Sequence, residues 1–183
     1  MEYYILSQDK TYKNQVVIDK SYLPEELRQF ASPWKNSFDW DYRLPGDKSF
    51  NIIIKSNANN YYSDFIESPF LMISDELKKV FISHEANLSC NCTILSDRVN
   101  KIQKVYWFCI LEKIDCLGAD GEFYPDGSIK ELVLDREKIG SRKIFQVGGI
   151  REQRFVISLD VAESILRRPF TGMCVEQVII EEK

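Results

Sequence analysis

Hydrophobic positions along this chain fall mainly in short runs rich in Val, Ile, Phe and Tyr. Runs at 3–6, 15–18, 50–55, 90–95, 104–111, 131–134, 143–147, 154–157 and 173–180 predict strands. Helical spacing is rarer. It predicts short helices at 24–30, which opens on Pro24 followed by Glu25 and Glu26, at 75–81 and at 159–166. Many strands with few helices between them imply an α+β fold with largely antiparallel sheet, because a parallel doubly wound sheet needs a helix at each crossover.

Two segments share one local design: FLMISDELKKVF at 70–81 and FVISLDVAESIL at 155–166. Each reads as a strand running into a helix. An apolar run ends at Ile-Ser, where Ser74 or Ser158 can cap the free N–H groups, and Asp75 or Asp160 complements the positive end of the helix dipole. With the serines aligned, Leu77 matches Val161 and Phe81 matches Ile165, so each helix should turn the same stripe toward a sheet. Reuse of a stable unit explains this as well as a duplication does. The segments 32–48 and 57–69 are polar and punctuated by Pro, Gly and Asn, and they predict long loops without the composition of an interdomain linker. A single domain over 1–183 follows, with 1–69 its loop-rich portion.

At 44% hydrophobic, 28% charged and 13% aromatic the chain has the makeup of an ordinary globular protein and not of a disordered one. The net charge of −4 argues against a broad basic face for nucleic acid. Charge is unevenly placed: 56–77 carries Asp64, Glu67, Asp75 and Glu76 with no Lys or Arg, whereas 136–154 carries Arg136, Lys138, Arg142, Lys143, Arg151 and Arg154 against two Glu. Either run reads as a solvated face or as a binding face. No apolar run is long enough to span a bilayer or to serve as a signal peptide, and an odd set of cysteines (Cys90, Cys92, Cys109, Cys116, Cys174) in strand-like surroundings suggests reduced thiols in a cytoplasm. A membrane partner is not expected.

Equipment for catalysis is sparse. His84 is the single histidine, and no partner for it is evident in the sequence; a place at a helix C-terminus, where the dipole favours a cation, accounts for it. Cys90 and Cys92 would share one strand face, but a structural zinc site needs a second ligand pair that the chain lacks. Gly148-Gly149 reads as a turn, and no phosphate-cradling glycine pattern occurs. No metal, no cofactor and no catalytic residue are expected. Aromatic residues interleaved with acids stand out instead. Trp34, Asp39, Trp40, Asp41 and Tyr42, with Tyr61, Tyr62, Asp64 and Glu67, would suit a surface that anchors a protein partner through rigid rings, the acids complementing a basic partner. The same rings folded back as a satellite core are the plainer reading.

From 70 onward the chain resembles bacterial immunity proteins of the Imm11 or DUF1629 type, found beside polymorphic and contact-dependent toxins. The blocks that carry this are FLMISDELKKVF, VYWFCILEKIDCLGADGEF at 105–123, IKELVLDREKI at 129–139, KIFQVGG, and FVISLDVAESILRRPFTGMCVEQV at 155–178, with MEYYIL at the start. Where the family pattern has an Asp-Cys-Leu-Asp-like run, Asp115-Cys116-Leu117 is followed here by Gly118, and the next acid is Asp120. The resemblance implies a protein that binds and neutralises a cognate toxin without catalysis or cofactor; with 70–183 as the family-like scaffold, the loops within 1–69 are where the contact surface is expected. Two further readings stay open: a small hydrolase using His84 with a nearby Cys or acid, and a module that self-associates through sheet edges. Oligomeric state is not legible.

Overall fold

The computed structural model describes residues 2–31 and 48–181. In chain order the elements are β1 (Tyr3–Gln8), β2 (Val17–Ile18), α1 (Glu25–Arg28), β3 (Phe50–Lys55), β4 (Phe65–Ile66), β5 (Met72–Ser74), α2 (Asp75–His84), β6 (Ser89–Asp97), β7 (Ile102–Ile110), β8 (Lys113–Ile114), β9 (Glu122–Phe123), β10 (Ile129–Glu131), β11 (Val133–Asp135), α3 (Arg136–Ile139), β12 (Ile144–Val147), β13 (Phe155–Ser158), α4 (Leu159–Leu166), β14 (Met173–Gln177) and β15 (Ile179–Glu181). The fold is α+β, and most strand pairs are antiparallel.

A six-stranded sheet has the order β2-β3-β6-β7-β5-β4, and a five-stranded sheet the order β14-β1-β13-β12-β8. The β6–β7 hairpin is the spine of the first, paired from Ser89↔Ile110 to Asp97↔Ile102. Strand alternation puts Asn91, Thr93, Leu95 and Asp97 of β6 on the buried face and leaves Cys90, Cys92, Ile94 and Ser96 half-buried on the other. In the second sheet β1 lies between β13 and β14, so residues early in the chain are central to a sheet completed by late ones. Parallel pairs occur at β3–β6, β8–β12 and β11–β15.

The two strand-to-helix units meet in one core. Leu77 and Phe81 from α2 and Val161 and Ile165 from α4 are all buried in it, together with Phe65, Ile73, Phe155 and Ile157 of the sheets. Burial of each such side chain is worth about 1.5–3 kcal/mol relative to exposure. The capping differs between the units. Ser74 Oγ accepts from Leu77 N at 3.3 Å as expected, but Ser158 makes no cap; it is fully buried and its hydroxyl donates to the Asp160 carboxylate instead. A second core lies under β2, β3, β6 and β7 with Leu27 of α1, and a third under β1, β12 and β13.

Several expected boundaries shift. The runs 131–134 and 173–180 are each divided, because β14 pairs with β1 whereas β15 leaves that sheet to pair with β11. The pivot is Val178, 5% exposed, whose N–H donates to Tyr3 O at 3.1 Å. The segment 57–69 is not a free loop: Phe65 and Ile66 form β4, and both are buried. The expected reduced thiols also need correction. Cys90 and Cys109 are directly opposite partners on β6 and β7, their Cα atoms 4.2 Å apart, and they form a disulfide. The close, non-hydrogen-bonded type of antiparallel pair brings Cβ atoms near enough for this. Cys92, Cys116 and Cys174 are free thiols. Among the described residues, no helix is long and apolar enough to cross a membrane.

Candidate binding cleft

Of the residues expected at a partner surface, Trp34, Asp39, Trp40, Asp41 and Tyr42 lie outside the described residues. Tyr61, Tyr62, Asp64 and Glu67 lie on the chain leading into β4 and just past it, where the backbone is fixed by a bridge from Gln15 to Tyr61. Tyr61 stacks on Tyr12 with ring centroids 4.8 Å apart. Tyr62 packs against the core beneath β3 and β6; its hydroxyl is buried with no hydrogen-bond partner among the described residues, and burial, followed by the nearby Asp97 charge, raises its pKa.

Both acids of this group are committed within the fold. Asp64 Oδ1 accepts from Ser74 Oγ at 2.7 Å, and Oδ2 accepts from Thr171 N at 2.8 Å and Thr171 Oγ1 at 3.2 Å. The carboxylate thus joins the start of α2 to the turn before β14. Glu67 accepts from Gln8 N at 3.0 Å, and its own N–H donates to the Gln8 side chain at 3.2 Å, which ties the two sheets together. Charge-assisted hydrogen bonds of this kind hold position firmly. Neither acid is presented as an open anionic patch.

Glu67 and Ser68 instead form the shared wall of two cavities at the seam between the sheets. One, of about 330 Å³, is lined by Lys20, Phe30 and the turn 151–154 among others. The second, of about 360 Å³, runs along Gln8, Lys10 and Gln15. Cavities of this size suit a ligand segment and not just water. Their charged walls are Lys10, Lys20, Arg151 and Arg154 against Glu67 and Glu152. Glu152 Oε1 accepts from Ile129 N at 3.0 Å, which holds the β12–β13 turn; its Oε2 is buried with no donor among the described residues. Residue-level reading missed this cleft. The signal was the basic run at 136–154, whose members separate in space: Arg142 forms a two-pronged pair with Glu112, Lys143 reaches Asp160 at 2.6 Å, and Arg136 donates to Gly140 O at 2.7 Å, whereas Arg151 and Arg154 line the cleft.

The residues with catalytic potential gather elsewhere, between α2 and α4. His84 Nε2 is 3.0 Å from Ser164 Oγ, and Nδ1 is 3.4 Å from Asp160 Oδ2. The histidine does have partners, contrary to the sequence reading, because the two helices pack side by side. Ser164 Oγ, however, donates to the Asp160 carbonyl at 2.8 Å, and the Asp160 carboxylate takes Lys143 Nζ and the Ser158 hydroxyl. Burial opposes the Asp160 charge, but Lys143, Ser158 and His84 outweigh it and hold the carboxyl down at about 2. A nucleophilic serine needs its proton aimed at the base. Here that proton is given to a carbonyl one turn back, and the cluster is a closed bolt between two helices.

Among the described residues no group of three or more His, Cys, Asp or Glu is arranged to hold a metal. The Cys90–Cys92 pair is divided by the disulfide to Cys109. The Cys116 thiol is pushed up to about 12, chiefly by burial and then by Asp115, which makes it inert as a nucleophile. Asp115-Cys116-Leu117 borders β11, where Asp135 N donates to Cys116 O and Gly118 N to Val133 O, so this run joins the small β11–β15 sheet to the core. No family model matches the chain, and no curated protein matches it.

Proposed function

We propose that this protein acts by binding and not by catalysis, as an immunity protein of the Imm11 or DUF1629 kind that neutralises a cognate bacterial toxin in the cytoplasm. The observation that carries the reading is a contrast in how polar groups are used. The catalytic residue types are hydrogen-bonded into a closed cluster, whereas the cleft at the sheet seam keeps a half-buried cation, Arg154, without an acceptor among the described residues. Uncommitted groups in a preformed cleft on a rigid two-sheet scaffold are what a binding protein presents. In a reducing cytoplasm Cys90 and Cys109 would stand as a dithiol, and burial of Cys109 at 3% exposure would keep the hairpin packed.

Mixing the protein with the product of the adjacent upstream gene tests this. A complex on size exclusion, together with rescue of cells that express that product, is the expected result. Absence of both refutes the proposal. The proximity of His84 to Ser164 and Asp160 supports a second reading, a small hydrolase. Under it, His84→Ala abolishes a turnover; under the first, His84→Ala leaves protection of cells intact wherever the variant folds.

A further inference from the structure

The cleft's chemistry specifies more than a generic partner. Three consecutive residues at its rim differ in what they lack. The Arg154 guanidinium, half-buried, finds no hydrogen-bond acceptor or ion pair among the described residues, and the Gln153 amide likewise finds no partner. Glu152 keeps one buried oxygen without a donor. The neighbouring cations of the same basic run are satisfied internally, Arg142 by Glu112 and Lys143 by Asp160. An uncompensated guanidinium with restricted access to water gains most from a carboxylate, which accepts its paired N–H groups. Lys20, which also lines the cavity, adds a second positive charge. The acids of the cleft, Glu67 and Glu152, are outnumbered by its cations, Lys10, Lys20, Arg151 and Arg154.

An inorganic anion would satisfy Arg154 and Lys20 but would supply no N–H donor and would leave the side-chain amide of Gln153 half-used. A peptide offers carboxylates for the cations together with main-chain N–H and C=O groups that match an amide. The second cavity, which continues past Glu67 and Ser68 toward Lys10, extends the groove beyond the size of one small anion. We infer that the cleft between the two sheets, centred on Arg154, is the docking groove for an acidic peptide segment of the protein partner. The inference deepens the proposed function and rests on it for the identity of that partner as the toxin.

The test uses the full chain and a fluorescein-labelled hexaglutamate peptide, read by anisotropy at low ionic strength and again at about 0.15 M salt, where exposed charges are largely screened beyond about 8 Å. The wild type binds the hexaglutamate probe and not a hexalysine one. Arg154→Gln weakens binding about 10–100-fold, as loss of a charge-assisted hydrogen bond entails, and Lys20→Gln weakens it less. Arg167→Gln, which removes an exposed cation paired with Glu163 on α4, leaves it unchanged. No binding by the wild type, equal binding by Arg154→Gln, or equal losses in Arg154→Gln and Arg167→Gln each overturns the inference. Free glutamate or phosphate competing as well as unlabelled peptide also overturns it, in favour of a small-anion site. If Arg154→Gln does not fold, Lys20→Gln and peptide-induced protection of 151–154 from hydrogen exchange decide the matter. Toxin neutralisation that survives loss of peptide binding refutes the groove alone; peptide binding with no toxin complex refutes the proposed function alone.

Discussion

Replacing Gly172 by Ala probes how tightly the turn before β14 is set against the chain entering β4. Gly172 has φ of +74°, and a Cβ added there would lie 2.2 Å from the Ser63 Cβ and 3.3 Å from its Cα. Ser63 cannot retreat. It is fully buried, its Oγ donates to Phe65 O at 3.1 Å, and its carbonyl accepts the Tyr106 hydroxyl at 2.7 Å. Two separate costs follow: about 1–2 kcal/mol for an L-residue in the left-handed region, and about 1–3 kcal/mol for overpacking. The expected loss is therefore roughly 2–5 kcal/mol, a large share of the roughly 5–15 kcal/mol that holds a domain together. Urea unfolding followed by circular dichroism measures it, with an unchanged m-value as evidence that only stability moved. Ser63→Gly supplies the decisive comparison, because it removes the clashing carbon and leaves φ at 172 untouched. In that background Gly172→Ala should cost only the conformational part, about 1–2 kcal/mol. Costs that agree in both backgrounds within about 0.5 kcal/mol would show that the two residues do not touch, and the reasoning would fail.

Truncating Asp64 to Ala leaves the Thr171 N–H without its acceptor and should destabilise by about 1–3 kcal/mol in urea unfolding, with Thr171 and its neighbours losing protection in hydrogen exchange. Leu77→Ala opens a cavity in the core shared by α2 and α4 and should cost about 2–5 kcal/mol; a loss below about 1 kcal/mol would place Leu77 outside it. Because the Asp160 carboxyl is held at about 2 in the folded protein against an ordinary 3.8, its contribution is fully present above about pH 4 and is lost as pH falls toward about 2. Asp160→Asn should flatten the stability profile in that window, and an identical acid limb in both proteins would contradict this. Native-state alkylation should leave Cys116 unmodified while the half-buried Cys92 reacts, with mass mapping as the readout.

The parts of the fold legible in the sequence were those set by local periodicity. The run 159–166 is α4 as spaced, 50–55 is β3, and the alignment of Leu77 with Val161 and of Phe81 with Ile165 corresponds to residues buried in one core. Local pattern did not show where a strand changes partner. The division of 173–180 at Val178 comes from β11 being available to pair with β15, a contact between positions far apart in the chain. Ser158 has the same local signature as Ser74, but its hydroxyl is taken by the Asp160 carboxylate two residues on, which Lys143 holds in place, and it makes no cap. For the binding cleft, the aromatic and acidic motif drew attention to Asp64 and Glu67, whose carboxylates are consumed by Thr171, Ser74 and Gln8. A charge read along the sequence carries no information on whether its partner is another part of the same chain. Arg154 was visible only as a member of a basic run, since its difference from Arg142 and Lys143 depends on which acids the fold brings near.

The central position of β1 in the five-stranded sheet sets an order of assembly. Residues 3–8 pair with 155–158 and 173–177, so during synthesis β1 is made well before either of the strands that flank it. The β6–β7 hairpin and its neighbours β3 and β5 need no such delay, and the six-stranded sheet can condense while β12 to β14 are still being made. Until then β1 is an apolar strand with both edges open, and its pairing with β13 and β14 is the slow, aggregation-sensitive step of folding.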